Sequence, residues 1–131
     1  MSSPISIDVF NYSGQTVVTK VTYTDSVAGN GSSINGISIA NDSVMKGNVT
    51  VNTGTNNGKL TMQLLNQTGV VLAAYAITDL KNPENGSGSI TITPTRGYLP
   101  TCNGYRSLPG EDPNIRYVAL VVNQTPGGSS N

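Results

Sequence analysis

Apolar and polar residues alternate over short stretches along most of this chain. An alternation with a period of two predicts strands that bury one face. Six segments follow this pattern: Ile5–Val9, Val17–Tyr23, Ile37–Ile39, Val49–Val51, Leu60–Leu64 and Ile90–Ile92. Two others, Val70–Ile77 and Tyr117–Val122, are apolar on both faces, which predicts strands in the interior of a sheet. The pattern therefore predicts about eight strands and no helix.

Turn residues separate these segments. Asn11-Tyr-Ser-Gly14 and Asn66-Gln-Thr-Gly69 each predict a tight turn, the second within a hairpin. The segment Thr53–Gly58 ends in Asn57-Gly58, a residue pair that favours positive φ angles. We therefore predict a further hairpin in which Val49–Val51 pairs with Leu60–Leu64.

The spacing of strands and turns predicts the fold class. Eight short strands most often form a single-domain antiparallel β-sandwich or jelly roll, with a closed barrel as the competing architecture. The length of 131 residues fits one domain spanning residues 1–131, in which residues 125–131 have the composition of a Gly/Ser-rich tail. The N-terminal residues carry no basic residue before Lys20, so we expect no signal peptide.

The composition excludes several kinds of functional site. Asn, Ser, Thr and Gly make up 59 of the 131 residues, only 11% are charged, and the formal net charge is zero. There is no His or Trp and only one Cys. These features argue against a His-ligated metal, a His-based triad, an internal disulfide scaffold and phosphate-driven nucleic-acid binding. We expect a non-enzymatic protein that needs no cofactor. The longest apolar run has eight residues, so no membrane span is expected.

Four local patterns carry weak chemical signals. Ser43-Val-Met-Lys46 has the S-x-x-K spacing of a serine nucleophile and its lysine, but that motif requires a helix. Cys102 has no histidine to activate it and is expected to be packed. Glu111, Asp112 and Asn114 could supply part of a Ca²⁺ site, although a solvated turn is the favoured interpretation. Seven Asn-x-Ser/Thr triplets are mostly explained by composition.

The segment from Gly97 to Asn114 is predicted to be a long loop between two strands. Loops of this length are uncommon in compact domains unless they have a function. Its tyrosines could stack on a sugar ring while its polar residues donate or accept hydrogen bonds. The candidate ligand-binding residues are Tyr98, Asn103, Tyr105, Arg106, Glu111 and Asp112. The alternative is a self-packed loop that covers a sheet edge.

The first half of the chain resembles the aegerolysin family over residues 5–65. The similarity rests on Ile7-Asp-Val9, Asn11-Tyr-Ser-Gly-Gln-Thr16, Ala40-Asn-Asp42 and Gly58-Lys-Leu60. Aegerolysins are small β-sandwiches, some of which act as lipid-recognising partners of pore-forming toxins or as components of bacterial insecticidal pairs. The resemblance implies the fold and transfers no site residues.

Three functions follow from these observations. The favoured one is a recognition module that binds a glycan or cell-surface ligand through the 97–114 loop. The alternatives are a self-assembling structural protein, such as a virion or surface-lattice subunit, and an aegerolysin-like toxin component. An enzyme fits least, because acid–base chemistry would fall to a few carboxylates or lysines. We expect a homo-oligomer at an extracellular or virion surface.

Overall fold

A computed structural model describes residues 3–52, 57–81, 90–106 and 115–125. Within these ranges the backbone forms nine strands, one more than predicted. They are β1 (Ser3–Tyr12), β2 (Val17–Asp25), β3 (Ser38–Ile39), β4 (Ser43–Val51), β5 (Lys59–Asn66), β6 (Val71–Ile77), β7 (Ile90–Pro94), β8 (Tyr98–Arg106) and β9 (Arg116–Gln124). A short 3-10 segment, Ala28–Ile34, lies between β2 and β3. No helix in the described ranges is long and apolar enough to cross a membrane.

The strands form two sheets. The four-stranded sheet has the order β4-β1-β9-β8, and the five-stranded sheet has the order β3-β2-β5-β6-β7. Every strand pair in the described ranges is antiparallel except β1 and β9, which run parallel. The predicted all-β, antiparallel-rich fold is thus confirmed, with this one parallel pair as an exception.

A single hydrophobic core lies between the sheets. Alternate residues of β1 point inward, as do alternate residues of β5 and β9. The fully buried side chains include Ile5, Ile7, Val9, Leu60, Met62, Leu64, Val118, Leu120 and Val122. Tyr75 of β6 crosses the core and donates a hydrogen bond from its hydroxyl to the carbonyl oxygen of Val121 in β9, at 2.7 Å. This bond connects the two sheets directly.

The two segments that are apolar on both faces occupy interior positions. β6 lies between β5 and β7, and β9 lies between β1 and β8. Both predictions of interior strands are therefore confirmed. The strand predicted to begin at Val70 begins at Val71, because the Val70 amide belongs to the preceding turn and donates to Asn66 Oδ1 at 2.9 Å.

The predicted hairpin between Val49–Val51 and Leu60–Leu64 is wrong. β4 pairs with β1 in one sheet, whereas β5 pairs with β2 and β6 in the other. Gly58 does have a positive φ of 84°, as predicted, but its carbonyl accepts a hydrogen bond from the amide of Leu80 rather than closing a hairpin. The chain therefore crosses between sheets here, and alternation alone does not distinguish a crossing from a hairpin.

The 3-10 segment covers the outer edge of β4. Its residues Gly29, Asn30 and Gly31 have left-handed backbone angles, so the segment is a kinked turn rather than a regular helix. Ser33 Oγ donates a hydrogen bond to the carbonyl oxygen of Asn48 at 2.7 Å, which satisfies one edge group of β4. Ile34 is fully buried at the end of the segment. The 3-10 segment thus shields a sheet edge.

Candidate functional site

The residues predicted to form a binding loop begin with a strand. Residues 98–106 form β8, which pairs with β9 along its whole length, so the predicted loop is wrong over this half. Tyr98 is only 6% exposed and offers no open face for a sugar ring. Asn103 is exposed and is the register partner of Ala119. Tyr105 and Arg106 are the backbone partners of Tyr117 and Arg116.

The rest of that prediction lies outside the described residues. Glu111, Asp112 and Asn114 fall in residues 107–114, and the tail beyond Thr125 lies outside the described ranges as well. Within the described ranges, no group of three or more Asp, Glu, His or Cys side chains is placed to hold a metal ion. The S-x-x-K pattern lies on β4 rather than on a helix, and residues three apart on a strand point to opposite faces.

A cleft opens at one end of the sandwich, where three turns meet. The β1–β2 turn contributes Gln15, the β5–β6 hairpin contributes Asn66 and Val70, and the β7–β8 turn contributes Thr95 and Arg96. The described residues that line the cleft are Gln15, Asn66, Val70, Leu72, Thr95, Arg96 and Tyr98, around a volume of about 330 Å³. Of the predicted candidates whose side chains the structure describes, Tyr98 and Asn103, only Tyr98 belongs to this cleft.

The β1–β2 turn is held by a buried asparagine. Asn11 is fully buried, and its Nδ2 donates to the carbonyl oxygens of Gln15 at 2.8 Å and Ile39 at 2.9 Å. Its Oδ1 accepts from the Ser13 amide at 3.0 Å and the Ser13 hydroxyl at 2.6 Å. All four hydrogen bonds that an amide commonly makes are therefore formed, and they fix the backbone that presents Gln15 to the cleft.

A hydrogen bond to Tyr98 anchors the Gln15 side chain. Its Nε2 donates to the hydroxyl oxygen of Tyr98 at 2.6 Å, which joins the β1–β2 turn to β8 across the mouth of the sandwich. Because the Tyr98 ring is buried and its hydroxyl reaches this bond, the tyrosine forms part of the cleft wall. A polar group of the cleft is thus held in place by a side chain that is buried in the apolar core.

The β5–β6 hairpin provides the opposite wall. Asn66 Oδ1 accepts three hydrogen bonds, from the Thr68 amide at 3.0 Å, the Thr68 hydroxyl at 2.8 Å and the Val70 amide at 2.9 Å. The Gly69 amide donates to the Asn66 carbonyl at 3.0 Å, and Gly69 has a φ of 88°. The hairpin predicted at Asn66–Gly69 is confirmed. It leaves Val70 51% exposed beside the buried Leu72.

The β7–β8 turn carries the only charged side chain among the described residues that line the cleft. Thr95 Oγ1 donates to the carbonyl oxygen of Val71 at 2.8 Å, and the Tyr98 amide donates to the Thr95 carbonyl at 3.1 Å. Arg96 lies between these anchors and is exposed. The described lining includes no carboxylate, thiol or lysine, and it offers amide and hydroxyl groups and one positive charge.

The single cysteine lies elsewhere. Cys102 is on β8, partly buried against the core, and burial raises the pKa of its thiol. A raised pKa lowers the fraction of thiolate and therefore the reactivity. The prediction of a packed cysteine is consistent with this position. An ion pair between Lys46 Nζ and Asp8 Oδ2 at 3.6 Å lies on the outer face of the four-stranded sheet, away from the cleft.

Most of the cleft residues were not identified from the sequence. Each lies in or beside a turn, and the Asn66–Gly69 and Arg96-Gly97 turns are visible in the sequence as Gly-containing segments. The sequence does not show that the three turns meet at one end of the sandwich, because successive turns lie about 50 and about 30 residues apart along the chain.

The whole fold is similar to solved structures. The crystal structure of IP-1A from Alcaligenes faecalis superposes with a TM-score of 0.65 at 12% sequence identity, covering 95% of this chain and 92% of IP-1A. The crystal structure of the RahU protein in complex with a TRIS molecule superposes with a TM-score of 0.61 at 11% identity, covering 95% and 96%. No protein-family profile and no curated protein sequence matches. At such identities the similarity establishes the all-β fold that this chain shares with these proteins.

Proposed function

We propose that the protein is a non-enzymatic recognition module that binds a saccharide-like ligand in the end cleft. The observation that carries this proposal is the cleft itself. Its volume of about 330 Å³ lies at the lower end of the range for small-molecule sites, which suits a single sugar ring. Its lining combines an apolar patch, Val70 and Leu72, with amide and hydroxyl groups. Sugar recognition requires this combination of an apolar contact and directional hydrogen bonds.

The cleft is also built to be rigid. The β1–β2 turn is fixed by Asn11, the β5–β6 hairpin by Asn66 and the β7–β8 turn by Thr95, each through side-chain to backbone hydrogen bonds. A site formed in advance loses little conformational entropy when a ligand binds. This supports binding without a large structural change.

The experiment is a glycan-array screen followed by calorimetry on the best ligand. We expect Gln15→Ala and Tyr98→Phe each to weaken binding by about 1–2 kcal/mol through lost hydrogen bonds. Thr101→Ala, at an exposed position on β8, is the matched control and should leave affinity unchanged. A blank array, or equal effects of all three substitutions, would contradict the proposal.

A second candidate, self-assembly, is favoured by an apolar area on the outer face of the four-stranded sheet. Tyr12, Val44 and Leu99 are between 40% and 50% exposed there. Phe10 is the register partner of Val44, and Asn123 lies between Tyr12 and Leu99. Exposed apolar clusters of this kind mark protein or membrane contacts. The same area would serve the aegerolysin-like alternative.

Light scattering and vesicle co-sedimentation separate these alternatives. Self-assembly predicts a molar mass that is a multiple of 13.6 kDa and that falls when Leu99→Ser and Tyr12→Ser are combined. A lipid-recognising component would remain monomeric and sediment with vesicles until the same substitutions are made. A monomer that does not sediment with vesicles would exclude both self-assembly and the lipid-recognising role.

A further inference from the structure

The backbone around Arg96 is fixed on both sides. The Tyr98 amide donates to the Thr95 carbonyl, and the Thr125 amide donates to the Gly97 carbonyl at 2.9 Å. Gly97 has a φ of 95°, a conformation that favours glycine and closes the turn tightly. The guanidinium of Arg96 is therefore carried by an ordered turn at the rim of the cleft.

Arg96 makes no ion pair or hydrogen bond with any residue in the described ranges. The carboxylates in those ranges are Asp8, Asp25, Asp42 and Asp79, and none of them lines the cleft. The guanidinium therefore keeps its charge and its five donors for a ligand.

Most hydrogen-bond acceptor atoms of the polar side chains around Arg96 already accept bonds within the protein. Asn66 Oδ1 already accepts three hydrogen bonds, while its Nδ2 donates none among the described residues. The hydroxyl oxygen of Tyr98 already accepts from Gln15, so its proton is left to donate. Gln15 Oε1 is the one amide acceptor of the lining that the described contacts leave open. A complementary ligand must therefore supply several acceptors, a negative charge and at least one hydroxyl donor.

From this balance we infer that the cleft selects an acidic saccharide, with Arg96 binding the carboxylate of the sugar. The inference rests on the proposed function and names its ligand class. A carboxylate matches the planar guanidinium through two parallel hydrogen bonds. Sugar hydroxyls accept from Asn66 and Tyr98 and donate to Gln15, and the apolar side of the ring lies against Val70 and Leu72. An amino acid fits less well, because its ammonium group would find no carboxylate in the described lining.

The test compares methyl glucuronide with methyl glucoside, which differ in the carboxylate, by NMR titration of the full chain. We expect the acidic sugar to bind at least about tenfold tighter, the effect of one charge-assisted pair of hydrogen bonds. Arg96→Gln should remove this preference, and Arg96→Lys should restore part of it. Lys20→Gln, an exposed cation on β2, is the control and should change neither affinity. Because Arg96 is exposed, we expect all variants to keep the melting temperature of the original chain.

The possible failures are distinguishable. Equal binding of the two sugars would overturn the acidic-sugar inference while the proposed function stands. Absence of binding for both sugars and for the glycan array would overturn both. If inorganic phosphate displaces the glucuronide more strongly than acetate does, the site prefers phosphate and the carboxylate assignment is wrong.

Discussion

Tyr75 contributes to stability through one hydrogen bond that joins the two sheets. Its ring is fully buried and its hydroxyl donates to the Val121 carbonyl at 2.7 Å. Tyr75→Phe keeps the ring but removes this hydrogen bond between the sheets. We expect a loss of about 1–2 kcal/mol in the free energy of unfolding, measured by urea denaturation at pH 7. An unchanged stability would show that water replaces the hydroxyl.

Tyr75 also makes the free energy of unfolding fall at alkaline pH. Burial, with a smaller contribution from Cys102, raises the pKa of Tyr75 far above its usual value. The folded state therefore keeps the proton at pH values where the unfolded state, with a pKa of about 10, releases it. This contribution is complete below pH 10 and is lost as the pH rises above 10. We expect the free energy of unfolding to fall more steeply between pH 9 and 11 in the original chain than in Tyr75→Phe. Parallel curves would contradict this.

Asn11 is the residue on which the β1–β2 turn depends. Replacing it by alanine removes its hydrogen bonds to the carbonyls of Gln15 and Ile39 and leaves the Ser13 amide without this acceptor. We expect Asn11→Ala to lower the free energy of unfolding by roughly 2–4 kcal/mol. Asn41→Ala, which removes one exposed bond to the Gly14 amide, is the control and should cost less than about 1 kcal/mol. Similar losses in both variants would show that burial does not matter here.

At the scale of elements, β8 was missed because its inward residues do not look apolar. Tyr98, Pro100, Cys102 and Gly104 share one face, and proline usually argues against a strand. Here Pro100 lies on the edge strand. The Thr125 amide bonds to the Gly97 carbonyl, so alternate residues from Gly97 onward bond to β9 and the Pro100 nitrogen faces away. The proline thus fits the strand and also protects its free edge.

The other strands were predicted from the apolar pattern, by alternation in six cases and by apolar residues on both faces in β6 and β9. Alternation does not show which strand pairs with which. β4 and β5 have the pattern of a hairpin, yet each joins a different sheet. The partners depend on packing between sheets, which involves residues distant in sequence.

The contact between β4 and the 3-10 segment allows no side chain at Gly47. A Cβ at this position would overlap the Cγ2 methyl of Ile34. We expect Gly47→Ala to cost roughly 1–3 kcal/mol, because the segment must move away. In a thermodynamic cycle with Ile34→Ala, the glycine substitution should cost less once the methyl is gone. Additive losses would show that the overlap is relieved elsewhere.

At the scale of the molecule, stability depends on β6 and β9, the two strands that are apolar on both faces. Leu72 and Leu120 are buried, one in each sheet. We expect Leu72→Ala and Leu120→Ala each to lower the free energy of unfolding by about 2–5 kcal/mol. Leu99→Ala, at a half-exposed position, should cost less than about 1 kcal/mol. A loss below that level at both buried positions would contradict the assigned core.

The candidate site was less predictable than the fold for a related reason. Gln15, Asn66 and Arg96 are ordinary turn residues, and only the closure of the sandwich brings them together. The sequence favoured 97–114 because aromatic and charged residues are concentrated there. Concentration along the chain does not show which turns meet in space.

The parallel pairing of β1 with β9 has a consequence for how the chain folds during synthesis. Residues 3–12 leave the ribosome before the other strands of the two sheets, but one of their two hydrogen-bonding neighbours, residues 116–124, is made after all of those strands. Until then one edge of β1 is unpaired, and pairing it closes a loop of about a hundred residues, which slows folding. A nascent chain that stalls before residue 116 would expose this edge, and we expect it to aggregate or to need a chaperone.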